Sequence, residues 1–365
     1  MKTTRRNSGK RPAKTSPAAT ANASADSSAD LPRLLDVVAS FARQTIVVAG
    51  DMVLDEFVSG EISRVSREAP VLILRHRRTE ALPGGAANAV NNLAALGARV
   101  FPVGVAGDDA GGDDLLGYFR DRRVNTSGII RVRGWVTTSK TRYLAGWTHT
   151  TEQQVLRVDR EPRGALPASV LKALAEKTRR LSARASAVLI SDYGLGVVTP
   201  ALVRGLKAKT ITLDSRHNLL DYRDCGVTAA TPNEPELEAA YHAQIGADTG
   251  KLEELGRKAL RDLKLEALVV TRGKDGMAVF DKTEAGAADS HHIPIHGSDT
   301  PVDVTGAGDT VIAVFTLALA AGATYLEAAQ LANYAGGIVV MKPRTATVTR
   351  AELETALRQD ATALR

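Results

Sequence analysis

The sequence predicts a doubly wound α/β protein, in which helices cover both faces of a mostly parallel sheet. Three observations predict this fold: short apolar runs recur along the chain, helical patterns separate most of them, and polar signatures follow them. A strand that is apolar at every position is buried on both faces, as in a parallel sheet between two helical layers. Such sheets bind ligands just beyond the carboxyl ends of their strands, so we expect a ligand site there.

The predicted strands and helices follow one another in a regular order. Strand-like runs are "TIVVAG", "RVFPVGVAG", "SAVLISDYG", "TITLDSR", "VTAATPNE" and "ALVVTRGKDG". The helical patterns include "AANAVNNLAALGA", "PALVRGLKAK" and a late apolar stretch, "TVIAVFTLALAAGA". Alternation of this kind indicates strand–helix–strand units that build one parallel sheet.

Two segments interrupt the alternation and predict an accessory sheet. Residues 57–78 and 129–158 are rich in Thr, Val, Arg and Trp and show no helical period. Surface hairpins on the main domain would explain them. We favour the alternative that they form a small β-sheet, which covers the ligand site as a lid.

Composition excludes several classes of protein. The single cysteine, Cys225, rules out a disulfide framework and predicts a reducing, cytoplasmic location. No apolar run reaches 18 residues, so we expect no membrane association. The net charge of the chain is +6, and the six Lys and Arg residues within residues 1–14 account for this excess. Aromatic residues make up only 4% of the chain. We therefore expect no nucleic-acid partner.

Composition also divides the chain into a tail and a domain. Residues 1–30 are basic and rich in Ser and Ala, without periodic apolar positions. Segments that cannot bury apolar surface remain disordered, so we expect a disordered tail at residues 1–30 and one folded domain at residues 31–365.

The stretch "DVTGAGDTVIAVF" (303–315) has the composition of an anion site at a helix start. Gly306, Ala307 and Gly308 precede the apolar helical stretch, so free backbone N–H groups and the positive end of the helix dipole would face a ligand. Asp309 allows two interpretations. It is either an N-cap residue or a base that takes a proton from an alcohol beside the bound anion.

Two further stretches place polar groups near strand ends. In "LPGGAANAVNNLAALGA", Gly84 and Gly85 would bring bare backbone against a polyol, and Asn88 could bond to its hydroxyls. In "GDMVLDEF", Asp51 and Asp55 follow a buried strand and could hold vicinal hydroxyls. The alternative is that all five are ordinary turn and cap residues.

Taken in this order, "GGAAN" and "DVTGAGDT" resemble the two signatures of the ribokinase-like (pfkB) carbohydrate kinases. The resemblance covers residues 45 to about 350 and implies a ribokinase-like fold. Neither "GxxxxGK[ST]" nor a strand followed by "GxGxxG" is present, which disfavours P-loop enzymes and dinucleotide oxidoreductases. The resemblance implies an ATP-dependent, Mg²⁺-requiring sugar kinase that works on a small sugar or sugar phosphate.

The resemblance also assigns roles to individual residues. It implies that Asp309 is the catalytic base and that the anion hole consists of Gly306, Ala307 and Gly308. It implies nucleotide contacts at Asn233, Thr271, Gly273, Gly276 and Asn333. It implies sugar contacts at Asp51, Gly84, Gly85 and Asn88, to which the strand-end argument adds Asp55. It implies Mg²⁺ near Glu236, through water, and a monovalent cation such as K⁺ near Asp303.

Within the family, the chain is most similar to the heptose 7-phosphate kinase domain of a bifunctional kinase/adenylyltransferase. The similar stretches are "GDMVLDEFVSGEISRVSREAPV", "TSKTRYLA", "QQVLRVD" and "RTATV". A sugar that already bears a phosphate needs basic partners. The candidates in these stretches are Arg64, Arg67, Lys140, Arg142 and Arg157, although solvent-facing strand charges are the alternative for each.

Some positions depart from the heptose kinase pattern. Leu195 stands in "SDYGLG" where those kinases usually have Lys, and Arg216 stands in "DSRH" where they also have Lys. The adenylyltransferase half has no counterpart in these 365 residues.

The leading function is phosphorylation of D-glycero-β-D-manno-heptose 7-phosphate to the 1,7-bisphosphate. Kinases for ribose, fructose or another sugar, and a non-catalytic sugar- or nucleotide-binding regulator on the same fold, are the alternatives. The family resemblance also predicts a homodimer formed through the lid sheet.

Overall fold

The computed structural model describes residues 31–147, 152–217, 219–283 and 288–363, and the tail predicted at residues 1–30 lies outside them. Within these residues, thirteen strands form two sheets. The large sheet contains β1 (Thr45–Gly50), β4 (Arg99–Gly107), β5 (Ile129–Val132), β8 (Ala187–Asp192), β9 (Ile211–Ser215), β10 (Ala229–Ala230), β11 (Ala267–Thr271), β12 (Met277–Lys282) and β13 (Ala288–Ile293). The small sheet contains β2 (Met52–Val65), β3 (Leu72–Gly85), β6 (Ser139–Gly146) and β7 (Gln153–Arg160).

Ten α-helices accompany the strands in the described part of the chain. They are α1 (Leu31–Ala39), α2 (Ala86–Ala95), α3 (Ala110–Asp121), α4 (Ala168–Ser182), α5 (Pro200–Arg204), α6 (Glu234–Tyr241), α7 (Thr249–Asp262), α8 (Ala307–Ala320), α9 (Tyr325–Val339) and α10 (Arg350–Ala363).

The large sheet has the order β13-β12-β11-β10-β9-β8-β1-β4-β5. Its strands from β11 to β5 pair in parallel, and β12 and β13 add an antiparallel edge. The fold class predicted from the alternation of apolar runs and helical patterns is therefore confirmed.

Both faces of the large sheet are covered by apolar helices, because successive residues of its strands point to opposite faces. In β1, Ile46 and Val48 belong to one buried cluster, whereas Val47 and Ala49 belong to the other. The first cluster includes residues of α1, α2, α3, α8, α9 and α10. The second includes residues of α4, α5, α6 and α7. This double burial explains why the strands are apolar at nearly every position.

Helix α8 is the buried helix that carries the site. All residues from Asp309 to Ala318 are buried, so the helix is apolar nearly all round. Burial of each large apolar side chain contributes on the order of 2 kcal/mol, and the register of α8 is therefore held firmly. The start of the helix is fixed by Gly306, whose φ of 79° only glycine adopts without cost.

The small sheet has the order β3-β2-β6-β7 and stands on the carboxyl end of β1. Strands β2 and β3 pair antiparallel, β2 and β6 pair parallel, and β6 and β7 pair antiparallel. The first four residues of β2 are buried and its last three are exposed, so the sheet projects from the domain.

One part of the segment predicted at residues 129–158 does not belong to the small sheet. Residues Ile129–Val132 form β5, which pairs parallel with β4 at the edge of the large sheet. The prediction was wrong for these residues because a short Ile/Val/Arg strand has the same local pattern in either sheet. The pairing partner, which decides the sheet, lies about 25 residues earlier in the chain.

No helix in the described ranges is long and apolar enough to cross a membrane.

Candidate active site

The carboxylate of Asp309 lies at the centre of a converging set of polar side chains. It is 4% exposed, and each of its oxygens accepts a hydrogen bond from a different element. The Tyr193 hydroxyl donates to Oδ1 at 2.7 Å, and Asn88 Nδ2 donates to Oδ2 at 3.0 Å. Asn88 Nδ2 also lies 3.3 Å from the carbonyl oxygen of Gly306. The carboxylate is therefore held in one plane.

The geometry excludes the interpretation of Asp309 as an N-cap. The N-cap of α8 is Gly306, and Asp309 is the third residue of the helix. Its oxygens accept from side chains of other elements rather than capping the N–H groups of its own helix. A buried carboxylate that does not cap its helix is available for chemistry.

Burial changes the proton affinity of this carboxylate. Desolvation raises the pKa of Asp309 from 3.8 to about 6, although the hydrogen bonds from Tyr193 and Asn88 oppose the shift. A base functions best when its pKa lies near the working pH. Asp309 is therefore a stronger base than an exposed aspartate and is still ionised at neutral pH.

Two adjoining cavities open beside the start of α8. The acidic cavity, of about 530 Å³, is lined by Asp192, Tyr193, Asp214, Arg216, His217, Thr231, Asn233, Pro235, Glu236, Ala239, Thr271, Val304, Gly306, Gly308 and Asp309. The apolar cavity, of about 290 Å³, is lined by Thr271, Gly273, Lys274, Gly276, Met277, Ile295, Ser298, Asp299, Pro301, Val304, Ala307, Gly308, Val311, Asn333, Gly336, Gly337 and Val340. Thr271, Val304 and Gly308 line both cavities, so the helix start lies at their junction.

The structure brings the predicted nucleotide residues together on these walls. Asn233 and Thr271 face the acidic cavity, whereas Gly273, Gly276 and Asn333 face the apolar one. The Asn333 amide donates to the Pro294 carbonyl oxygen at 2.8 Å, so it also supports the wall. The apolar cavity suits a flat aromatic ring and the acidic one a charged group. The nucleotide contacts themselves stay predictions.

Glu236 and Asp214 place two carboxylates in the acidic cavity. Glu236 forms a capping box with Asn233, whose side chain accepts from the Glu236 N–H at 2.8 Å. Desolvation raises the pKa of Asp214 well above its ordinary value, and the charges of Glu236 and Asp309 add to this effect. Carboxylates that repel each other across a cavity are favourable partners for a cation.

The donor set fits Mg²⁺ and not a metal caged by protein. Among the described residues, no three His, Cys, Asp or Glu side chains converge as a metal cluster. Mg²⁺ usually takes one or two carboxylates, with water and substrate phosphates as the other ligands. Glu236 and Asp214 suit that arrangement.

Asp51 and the glycine pair have structural partners. The Asp51 carboxylate accepts from the backbone N–H groups of Tyr193 at 2.8 Å, Leu195 at 3.2 Å and Val197 at 3.3 Å. It is buried, which raises its pKa to about 6. Gly85 has a φ of 54° and is the N-cap of α2, which carries Asn88. These residues thus shape the site, and direct sugar contacts by them stay predictions.

Asp55 and Gly84 meet across the small sheet. A Cβ on Gly84 would lie 2.5 Å from Asp55 Oδ2, so only glycine leaves room for this carboxylate. The other oxygen of Asp55 accepts from Arg142 Nη1 at 2.7 Å, and both side chains are buried. Arg142 is therefore committed to a buried ion pair, and its predicted contact with a substrate phosphate stays a prediction.

The remaining predicted cations differ in their surroundings. Lys140 is half-buried, makes no ion pair with any described residue, and its Nζ lies 4.9 Å from the centre of the Tyr193 ring. Arg157 is exposed and pairs with Asp159 at 2.8 Å. Arg64 and Arg67 are exposed near the tip of the small sheet. Among these predicted cations, Lys140 lies beside Tyr193 and its charge lowers the pKa of Asp309, while its contact with a substrate anion stays a prediction.

Asp303 closes the loop before α8. Its carboxylate accepts from the N–H of Thr305 at 2.9 Å and from that of Arg344 at 2.8 Å. The Arg344 side chain reaches the small sheet, where it pairs with Glu80 and lies 5.5 Å from the Phe57 ring centre. The loop is thus tied to the small sheet, and the monovalent cation predicted at Asp303 stays a prediction.

Three site residues were not predicted: Tyr193, Asp214 and Arg344. Tyr193 directly follows β8, and Asp214 is the last residue but one of β9. Their position at the carboxyl ends of buried strands was the available signal. Arg344 lies in a turn with a φ of 65°, and no local pattern indicates its contact with strands more than 250 residues earlier.

Comparison with known proteins gives the family. A sequence model described as "pfkB family carbohydrate kinase" matches residues 44–351. The chain belongs to the pfkB family of carbohydrate kinases. An ATP-dependent carbohydrate kinase accounts for the paired cavities and for the buried carboxylate beside their junction.

Curated relatives of this pfkB-family kinase include three proteins named bifunctional protein HldE. The one from Desulfatibacillum aliphaticivorans is 40% identical over 328 residues, covering 88% of this chain and 64% of the relative. The one from Mesorhizobium japonicum is 39% identical over 88% of this chain and 63% of the relative. The one from Caulobacter vibrioides is 38% identical over 90% of this chain and 65% of the relative. The chain thus spans a little under two thirds of each.

Solved structures confirm the ribokinase-like fold of this pfkB-family kinase. Escherichia coli phosphofructokinase-2, in complex with substrates and products, aligns with a TM-score of 0.70 at 18% identity, covering 87% of this chain and 99% of that one. Arabidopsis thaliana ribokinase, complexed with ribose and ATP, aligns with a TM-score of 0.63 at 18% identity, covering 86% and 99%. At this identity, the similarity concerns the fold alone.

Proposed function

We propose that this kinase transfers the γ-phosphoryl group of Mg-ATP to a hydroxyl of a sugar phosphate. The leading substrate is D-glycero-β-D-manno-heptose 7-phosphate, which would become the 1,7-bisphosphate. The observation that carries the proposal is the Asp309 carboxylate, buried and aligned at the junction of the two cavities. The HldE relatives and the resemblance to heptose kinases support the choice of sugar.

The proposed reaction uses Asp309 as a general base. The acceptor hydroxyl gives its proton to Asp309, and its oxygen forms a bond to the γ-phosphorus. The bond from that phosphorus to the bridging oxygen breaks, and ADP leaves with the electron pair. Positioned bases contribute about 10² to 10⁴ in rate.

The start of α8 would stabilise the migrating phosphoryl group. Free N–H groups at a helix start, together with the helix dipole, attract an anion. Gly306, Ala307 and Gly308 form this helix start, although the Ala307 N–H already donates to the Val304 carbonyl oxygen at 3.2 Å. A Cβ on Gly308 would meet nothing within 4 Å. An anion can therefore approach closely. When bound, Mg²⁺ near Glu236 and Asp214 would neutralise charge on the phosphate oxygens.

The phosphate already on the sugar would face the small sheet. Lys140 lies near Asp309, and its charge lowers the pKa of that carboxylate. Desolvation lowers the pKa of Lys140 itself; the charge of Asp55 opposes this shift, and the charges of Arg216, Arg142 and Arg157 add to it. The cations grouped around Lys140 favour an anionic ligand over a neutral sugar at this place.

The small sheet is also the proposed dimer interface. All eight residues of the edge strand β7 are exposed, including Val155, Leu156 and Val158 at 46%, 55% and 40%. A long, unpaired apolar edge is a template for pairing with another strand. We infer that a second copy of this chain covers it.

Substitution of the base tests the proposed reaction. Asp309→Asn keeps the shape of the side chain but cannot accept the proton, so turnover should fall by at least about a hundredfold while Mg-ATP binding is retained. ADP release should be measured with heptose 7-phosphate, fructose, ribose and their phosphates. Turnover preserved in the variant would remove Asp309 as the base, and faster turnover of a neutral sugar would remove the sugar-phosphate assignment.

A further inference from the structure

Tyr193 connects several parts of the site. It follows β8, its backbone N–H donates to Asp51 Oδ2 at 2.8 Å, and its hydroxyl donates to Asp309 Oδ1 at 2.7 Å. Its ring centre lies 4.9 Å from Lys140 Nζ and 5.8 Å from Arg216 Cζ. One side chain thus joins the base to two cations from different elements.

We propose that Tyr193 is the positioning residue of the catalytic base, because its hydroxyl orients the Asp309 carboxylate and keeps it ionised. The inference rests on the proposed function and adds to it a residue that acts through Asp309. Tyr193 is not itself a catalytic residue in this proposal, since the acceptor's proton goes to the carboxylate.

The two hydrogen bonds to Asp309 go to different oxygens of its carboxylate. Asn88 bonds Oδ2 and Tyr193 bonds Oδ1, so the carboxyl group cannot rotate about its last bond without losing one of them. An ionised carboxylate oxygen accepts more than one hydrogen bond, and the acceptor hydroxyl can still reach it. Because the base is already held in one orientation, it loses no further rotational freedom when the reaction occurs.

Several contacts fix the position of Tyr193. The buried carboxylate of Asp51 binds the backbone N–H groups of Tyr193, Leu195 and Val197, which fixes the loop after β8 to the end of β1. Gly194 and Gly196, with φ of 77° and 83°, give the loop the turns it needs to wrap around Asp51. Tyr193 therefore presents its hydroxyl from a rigid support, which a positioning role requires.

Burial and the groups around Asp309 together set its pKa. Burial raises the pKa and the charge of Asp55 adds to this effect, whereas the hydrogen bonds from Tyr193 and Asn88 and the charge of Lys140 lower it. Asp214 also interacts with Asp309 across the acidic cavity. Tyr193 stays protonated at working pH, because burial and the charge of Asp309 raise its own pKa. It can therefore donate throughout that range.

Tyr193→Phe removes the donor and keeps the ring between the two cations. Because Asp309 must be ionised to act, kcat of the unchanged enzyme should fall below about pH 6. Loss of a hydrogen bond to the charged form raises the pKa of Asp309, so this acid limb should move up by about one pH unit. We expect kcat at pH 8 to fall about tenfold, with an unchanged KM for Mg-ATP.

Tyr241→Phe is the matched control. The Tyr241 hydroxyl donates to Asp262 Oδ2 at 3.1 Å, its ring centre lies 4.7 Å from Lys258 Nζ, and neither Tyr241 nor Asp262 lines the two cavities. Removal of the Tyr241 hydroxyl should leave the acid limb of kcat in place. An acid limb that moves equally in both variants, or in neither, would overturn the role of Tyr193.

Two further measurements separate the possible failures. Replacing Tyr193 with 3-fluorotyrosine retains the shape of the side chain and makes its hydroxyl a stronger donor, so the acid limb of kcat should move to lower pH. An acid limb that does not move would contradict the inference. This test remains available if Tyr193→Phe fails to fold. Turnover retained by Asp309→Asn would instead refute the proposed base. An inactive Asp309→Asn combined with an unmoved limb in Tyr193→Phe would refute the role of Tyr193 alone.

Discussion

Asp309 obtains its properties from residues far away in the chain. It is the third residue of α8, but its two hydrogen-bond donors lie 116 and 221 positions earlier. The motif around Asp309 predicts a carboxylate at a helix start. The two donors orient this carboxylate, whereas burial raises its pKa to about 6. Chemistry at this residue therefore depends on the packing of α2 and of the loop after β8 against α8.

Lys140 is the residue on which we expect substrate choice to depend. Lys140→Met removes the charge and keeps most of the side-chain volume. It should raise KM for a sugar phosphate about tenfold or more, because a charged hydrogen bond is lost, and leave KM for a neutral sugar nearly unchanged. Steady-state kinetics on both substrates measure this.

Arg75→Met is the control for general electrostatics, since Arg75 is an exposed cation on the outer part of β3. An equal rise of KM for both sugars in the Lys140 variant, or the same rise in the control, would show that Lys140 does not bind the phosphate.

At the level of residues, the sequence motifs predicted the candidate site residues but not the residues that form hydrogen bonds or ion pairs with them. Asp309 and Gly306 were found because glycines and an acid before an apolar helix have a chemical meaning at close sequence spacing. The ion pair between Asp55 and Arg142 was not foreseen, because it joins two strands 87 positions apart. Pairings of that kind depend on the register of the small sheet, which has no local signature.

The start of α8 is the element whose geometry the site tolerates least. A Cβ on Gly306 would lie 2.4 Å from Asn88 Nδ2, and the φ of 79° already disfavours any side chain. Gly306→Ala should therefore displace Asn88 from Asp309 and lower kcat by about tenfold to a hundredfold. Kinetics, together with the melting temperature, measure both effects.

Gly322→Ala provides the control at the other end of the same helix. Gly322 has a φ of 90°, and a Cβ there would meet nothing within 4 Å. It should cost about 1 kcal/mol of folding free energy through backbone strain alone and leave kcat unchanged. Similar kcat values for the two variants would mean that contact between Gly306 and Asn88 is unimportant for turnover.

Elements were predicted well where burial is two-sided. The runs "TIVVAG" and "AVLISD" are apolar because both faces of β1 and β8 are covered, so their identity as central strands was evident from the sequence. Strand β5 was assigned to the wrong sheet, because a four-residue edge strand is covered less completely and its pattern is ambiguous. The parallel pairing of β2 with β6 could not be inferred either, since residues 66–138 separate the two strands.

For the whole molecule, we expect assembly through the small sheet. Leu156→Asp places a charge in the apolar surface of β7, and it should convert the dimer to a monomer, because a buried unpaired charge costs several kcal/mol. Sedimentation velocity at micromolar concentration measures the mass.

Val65→Asp is the control, since Val65 is 59% exposed at the end of β2 and does not lie on the β7 edge. A monomeric unchanged protein, or a dimer that survives Leu156→Asp, would contradict an interface at this edge.

Strands β2 and β3 are long, and a small rotation at one end of either strand displaces its other end by a larger distance. Each has fourteen residues and is on the order of 45 Å long, with Asp55 or Gly84 near its inner end and an exposed outer end. A tilt of about 5° at the inner end would displace the outer end by roughly 4 Å over that length. A molecule bound at the outer end would therefore be coupled to the proposed sugar site, because a small tilt at the inner end becomes a displacement of several ångströms at the outer end.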